Sequence, residues 1–184
     1  MDELRAALGR ITDVLQRQGV RFHVTGGLAS SLYGEPRFTQ DIDVVVRLEP
    51  ASEELERLLA ALAESHVVDL GAARHETAIG GMFQALDLAA MVKIDLHVGE
   101  AVPGELDRSV VLEVLPGLEL PVVSREDAVL SKLIWIRQGS HKSRGDVVGI
   151  LRRGGALDRQ ALAQRAQDLG LDQLLAELQS EAEA

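Results

Sequence analysis

Hydrophobic positions recur along the chain with two periods, and the change from one to the other divides it. Leu4, Leu8, Ile11 and Leu15 fall on one helical face between about Asp2 and Gln18, with Gly19 as a stop. Phe22 to Thr25 is a short β-branched and aromatic run that reads as a strand, and Leu28 to Tyr33 reads as a helix. Asp41 to Val46 reads as a second strand, and Glu53 to Ala63 as an amphipathic helix carrying Leu55, Leu58, Leu59 and Leu62. A short strand is expected over Val67 to Leu70. Gly80 to Leu88 is expected to pair with Met91 to Val98 through a turn near Ala89-Ala90, and Val110–Val114 with Leu118–Val123 around Pro116-Gly117.

After Val123 the period is helical throughout. Ser124-Arg125-Glu126-Asp127 has capping-box spacing ahead of Val129, Leu130, Leu133 and Ile134. Gly139 to Ser143 is a polar break, and further helices are expected from Asp146 to Leu151, around Leu162 to Leu169 and around Leu174 to Leu178. The pattern predicts an α/β (α+β) fold: a mixed β-sheet core with flanking helices over residues 1–123, then a helical C-terminal lobe, residues 124–184, packed on it.

Two short segments carry the candidate chemistry. Gly26-Gly27 joins a strand to a helix, and two glycines let the backbone approach a ligand with the N–H groups of a helix start aimed at an anion. Gly-Gly alone is equally the mark of an ordinary tight turn. Asp41 and Asp43 stand two apart in a strand, so their carboxylates share a face while Ile42 and Val44 turn to the other. Adjacent carboxylates repel, and hard oxygen ligands favour Mg²⁺ or Mn²⁺ as the compensating cation. Met91 to Val98 alternates, with Val92, Ile94, Leu96 and Val98 on one face and Lys93, Asp95 and His97 on the other.

Composition narrows the classes. The 184 residues suffice for one substantial core, and the absence of cysteine excludes disulfides, zinc thiolates and a cysteine nucleophile. A net charge of −10 and 3% aromatic residues argue against a protein that wraps nucleic acid by bulk electrostatics or base stacking. Basic residues nevertheless outnumber acidic ones between Arg125 and Arg153, a patch that suits an anionic ligand or simply one solvated helix face. No signal-peptide pattern opens the chain and no apolar run approaches membrane-spanning length, so a cytoplasmic protein without membrane contact is expected.

The block from Val24 through Gly26-Gly27 to Asp41-Ile42-Asp43 resembles the active-site core of the DNA polymerase β-type nucleotidyltransferase superfamily. With Ser124 to Leu133 and Arg144 to Leu151, it is similar to bacterial nucleotidyltransferase-like proteins related to the AbiEii toxin group. The resemblance implies transfer of a nucleoside monophosphate from a nucleoside triphosphate to an acceptor hydroxyl or phosphate, with release of pyrophosphate. It implies Asp41, Asp43 and a third carboxylate, Asp95, as the catalytic and metal-binding residues, with Gly26, Gly27, Ser30, Ser31 and Lys132 around the triphosphate. Asp146 would help to organise the site, and His97 is a weaker candidate for contacting acceptor or phosphate. A cognate toxin or antitoxin partner is implied as well, while the acceptor, whether small molecule, RNA or protein, stays open.

The chain departs from the toxin pattern at Leu28-Ala29-Ser30 after the glycines and at Gly149, where a second late carboxylate is expected. The run Gly26-Gly27, Gly34, Thr39, Asp41-Ile42-Asp43 and then Ile94-Asp95-Leu96-His97 also looks like that of aminoglycoside- and lincosamide-type adenylyltransferases. A non-catalytic component of a toxin–antitoxin system that keeps the fold is the competing class.

Overall fold

A computed structural model describes residues 2–153 and 155–184. The first helix, α1 (Asp2–Arg17), buries Leu8, Ile11 and Leu15, and Gly19 with φ of 72° turns the chain out of it. Next come β1 (Arg21–Val24), α2 (Gly26–Tyr33), β2 (Asp41–Arg47) and α3 (Glu53–Ala63), whose Ser52 cap accepts a hydrogen bond from the Leu55 amide. Then follow β3 (His66–Val68), α4 (Leu70–Ile79), β4 (Met82–Asp87) and β5 (Lys93–Val98). A single 3-10 turn (Glu105–Arg108) leads into the hairpin of β6 (Val110–Leu115) and β7 (Leu118–Val122). Four helices close the chain: α5 (Arg125–Arg137), α6 (Lys142–Arg152), α7 (Arg159–Asp168) and α8 (Asp172–Glu183).

The strands form one seven-stranded mixed sheet in the order β3-β4-β5-β2-β1-β7-β6. The β2/β5 and β1/β7 pairs are parallel and the others antiparallel. The mixed α/β fold anticipated from the periodicity is therefore present. Ile42, Val44, Ile94 and Leu96 are buried in the same continuous core as the leucines of α1 and α3, and that core runs on to Leu130, Leu162 and Leu178 of the helical segment. Cutting back any of the fully buried side chains among them would cost about 2–5 kcal/mol.

Two elements differ from expectation. Leu70 opens a helix rather than ending a strand, since Asp69 caps α4 by accepting from the Ala72 amide. Only Ala73 and Thr77 of α4 are buried, too faint an apolar stripe for periodicity to register. Helix α6 begins at Lys142, inside the expected polar break. Among the described residues no helix is long and apolar enough to cross a membrane.

Candidate active site

The parallel register of β2 and β5 aligns Asp41 with Lys93 and Asp43 with Asp95. Because residues two apart share a face, the three carboxylates lie together on one side of two hydrogen-bonded central strands. The apolar alternates Ile42, Val44, Ile94 and Leu96 anchor the opposite face.

Gly26 closes over this face. Its φ of 62° lies in the left-handed region, and a Cβ at that position would fall inside the Asp43 carboxylate, so glycine is required there on both counts. A Cβ on Gly27 would meet the Thr39 hydroxyl at 2.6 Å. Thr39 Oγ1 in turn donates to Asp41 Oδ1 at 2.9 Å. The start of α2 thus points its amides at an acidic centre, and the Gly27 N–H donates to the Asp43 carboxylate.

Burial opposes the charged form of Asp43, but His97, Lys132 and the Gly27 amide outweigh it and hold the carboxyl below its ordinary range. His97 Nε2 lies 3.2 Å from Asp43 Oδ1, and its ring meets Trp135 edge-on at 6.1 Å. Lys93 Nζ donates to Asp95 Oδ2 at 2.9 Å and stands 3.9 Å from Asp41 Oδ2. Its pKa is raised, chiefly by the bond to Asp95. Asp95 Oδ1 is buried and, among the described residues, has no hydrogen-bond partner.

That orphaned oxygen is the feature that fits a divalent cation. A buried carboxylate oxygen left unpaired is costly, and a hard cation is the usual remedy in an all-oxygen donor set. As the side chains stand, no group of three or more His, Asp or Glu residues among those described is poised to hold a metal. Lys93 Nζ stands between the Oδ2 atoms of Asp95 and Asp41 and supplies the positive charge beside them, leaving Asp95 Oδ1 as the unpaired atom.

Above the carboxylates, Lys132 on α5 bonds Asp146 Oδ2 on α6 at 2.9 Å, and Arg37 grips both oxygens of Asp146 at 2.9 and 3.1 Å. Burial works against the Asp146 charge, but these two cations outweigh it and lower its pKa. Asp146 therefore holds two cationic side chains near the Gly26-Gly27 turn. Lys132 itself lines a cavity of about 200 Å³ together with Gly26, Asp43, His97, Glu105 and Trp135.

Of the residues singled out in the sequence, Asp41, Asp43, Asp95, Gly26, Gly27, Lys132, His97 and Asp146 gather here. The Ser30 and Ser31 hydroxyls donate to the carbonyls of Gly26 and Gly27 one turn back along α2, each at 2.9 Å, and Ser31 Oγ also accepts from the Arg37 amide at 3.4 Å, while Ser30 lines a cleft with Arg37 and Asp146. The sequence reading overlooked Arg37, Lys93, Glu105 and Trp135. Lys93 was visible as a member of the polar face of β5, while Glu105, the first residue of the 3-10 turn after β5, lies in a segment with no periodic pattern to mark it as buried.

The fold recurs in solved structures of low sequence identity. A nucleotidyltransferase-like antigenic protein from Paracoccidioides brasiliensis superposes with a TM-score of 0.59 at 18% identity, over 100% of this chain and 94% of that one. The antibiotic-resistance factor ANT(2'')-Ia in solution gives 0.60 at 17% identity, over 96% and 100%. JHP933 from Helicobacter pylori gives 0.51 at 15%, over 100% and 91%. No curated protein matches the chain in sequence. A family model described as nucleotidyl transferase AbiEii toxin, type IV TA system, matches residues 8–181, and with the aspartate pairs and the Gly-Gly turn inside that span the chain belongs to the AbiEii nucleotidyltransferase family.

Proposed function

We propose that the protein transfers a nucleoside monophosphate from a nucleoside triphosphate to an acceptor hydroxyl or phosphate. The observation that carries this reading is the in-register pairing of Asp43 with Asp95, under a Gly26 backbone that approaches Asp43 too closely for any side chain. Asp41, Asp43 and Asp95 would hold Mg²⁺ or Mn²⁺. When bound, the metal would neutralise charge on the entering and leaving oxygens.

The chain's own groups divide the remaining work. The Gly26-Gly27 turn and Lys132 bind the triphosphate through amide dipoles and a mobile point charge. Asp146, by gripping Lys132 and Arg37, fixes where that positive charge stands. Asp95 accepts the acceptor's proton as its oxygen bonds to the α-phosphorus and the bond to the bridging oxygen of the leaving pyrophosphate breaks. Catalysis here is mainly positioning and charge stabilisation. The family description supports a cognate antitoxin as a partner.

The test is incubation with each α-labelled nucleoside triphosphate, Mg²⁺ or Mn²⁺, and acceptors drawn from RNA, protein and small hydroxylated molecules. Label should pass to one acceptor class and vanish with Asp41→Ala/Asp43→Ala. Undiminished transfer by that folded double variant would overturn the mechanism. Label passing only to an aminoglycoside or lincosamide would replace the toxin reading with small-molecule adenylylation.

A further inference from the structure

Helix α5 presents a large aromatic ring that the proposed chemistry leaves unused. Trp135 is the single tryptophan of the chain and is 44% exposed, while Val129, Leu130 and Leu133 of the same helix are fully buried. Residues three and four apart on a helix are neighbours, so Ser131, Lys132 and Trp135 stand on one side of α5. All three line the cavity of about 200 Å³ that also holds Gly26 and Asp43. A half-exposed indole forgoes apolar burial, and here it does so beside the Gly26 turn.

Its distance from the carboxylates is set by His97. That imidazole lies 3.2 Å from Asp43 Oδ1 at one end and, at the other, 6.1 Å from the indole between ring centroids. The indole is therefore one imidazole ring beyond the carboxylate, much as a ribose separates the α-phosphate of a nucleotide from its base. The two ring planes are inclined by 67°, so the imidazole does not stack on the indole, and among the described residues no other aromatic ring contacts it.

The polar groups around the ring favour no particular base edge. Ser131 Oγ donates to the Ala128 carbonyl at 3.1 Å and has a lone pair left to offer. Ser140 and Ser143 share one hydrogen bond of 2.9 Å, so the pair retains one hydroxyl proton as well as lone pairs and can meet an amino or an oxo group. Glu105 Oε1 accepts from the Ala101 and Val102 amides, and its Oε2 is buried out of reach of a ligand.

We propose that the cavity takes the nucleobase of the triphosphate stacked on the Trp135 indole, and that this platform favours purine nucleotides without telling adenine from guanine. The inference rests on the nucleotidyltransferase reading. Stacking on an aromatic side chain serves every base because every base has a π-face, and two fused rings bury more area on the indole than one. Discrimination between adenine and guanine needs a fixed donor or acceptor at the base edge, and the serine hydroxyls can serve as either.

The test measures dissociation constants by calorimetry, with Mn²⁺ present, for ATP, GTP, CTP, UTP and inorganic tripolyphosphate. The wild type should bind ATP and GTP alike and both severalfold more tightly than CTP and UTP. In Trp135→Leu the purine nucleotides should weaken about tenfold, the effect of losing one base–aromatic stack, while tripolyphosphate affinity is unchanged. Trp135→Phe should retain most of the wild-type affinity. Unchanged ATP affinity in Trp135→Leu, or an equal loss for ATP and tripolyphosphate, overturns the stacking platform while leaving phosphate binding intact. A strong preference for one purine overturns the lack of edge reading. No binding of any of the five ligands to the wild type overturns the nucleotidyltransferase reading itself, and this one with it. If Trp135→Leu fails to fold, the emission of the wild-type tryptophan decides: it should change with ATP and not with tripolyphosphate, and unchanged emission on bound ATP overturns the proposal.

Discussion

The molecule buries carboxylates in two ways. Asp127, fully buried at the start of α5, accepts two bonds from Arg108 at 2.8 and 3.0 Å and one from Ser124 at 2.8 Å, with Arg165 at 3.5 Å. Asp87, equally buried, accepts two from Arg10 at 2.7 and 2.8 Å and two from the Ala89 and Ala90 amides. Asp95 keeps one oxygen unpaired, and Asp43 relies on a histidine and one amide. Bidentate, fully satisfied carboxylates tie elements together: Asp127 joins the 3-10 turn to the helical segment, and Asp87 joins β4 to α1. Incompletely paired ones keep bonding capacity for a ligand.

The comparison breaks most sharply at Asp127. Asp127→Ala strands Arg108 and should cost about 3–5 kcal/mol, read as a lower denaturation midpoint in urea, with nucleotide binding retained by the folded fraction. A loss under about 1 kcal/mol would mean that the paired carboxylate is no staple. Asp43→Asn is the mirror image. Nucleotide transfer should fall by about a hundredfold or more, with a melt close to that of the wild type. Comparable losses of stability in both variants would erase the distinction.

A smaller effect separates the groups by pH. Burial raises Glu105 from its ordinary value near 4.5 to about 7, so the folded state holds this proton more tightly than the unfolded chain and loses stability as pH rises through that window. His23, lowered by burial from 6.5 to about 4, loses stability in the opposite direction as pH falls. The two slopes offset each other in the wild type. Glu105→Gln removes one of them, and its stability relative to wild type should improve by about 2–3 kcal/mol between about pH 5 and pH 8. A constant difference across that range would show that Glu105 does not titrate as a buried acid.

Two further substitutions sharpen the view of the site. Gly26→Ala forces an L side chain into a left-handed conformation and against Asp43, and should cost about 1–2 kcal/mol from backbone strain alone, with a further loss of triphosphate affinity. Lys93→Met frees Asp95 and Asp41 from their ammonium and should raise Mn²⁺ affinity severalfold, measured by direct titration. Weaker metal binding in Lys93→Met would place the cation away from that pair.

Most strands and the first three candidate carboxylates were legible because they rest on local rules. Alternation fixed the faces of β2 and β5, so Asp41, Asp43 and Asp95 could be assigned to polar faces before any contact was known. Helix α4 escaped because its buried stripe is only Ala73 and Thr77. The serines of α2 were read for their chemistry alone, and local geometry could not show that both hydroxyls turn to the carbonyl one turn back while the helix face carrying them meets Arg37.

By itself the sequence determined the periods, the Gly-Gly turn and the placement of three aspartates on two strand faces, since each depends on neighbours within a few residues. Only the tertiary structure decided that β2 and β5 run parallel in the register that sets Asp43 beside Asp95. It also decided that Lys93 stands between two of the carboxylates, that Asp146 grips Lys132 and Arg37 from another helix, and that Glu105 comes to face His23. Those arrangements arise from long-range pairing and burial, where the partner of a charge is chosen by the fold and not by the residues beside it in the chain.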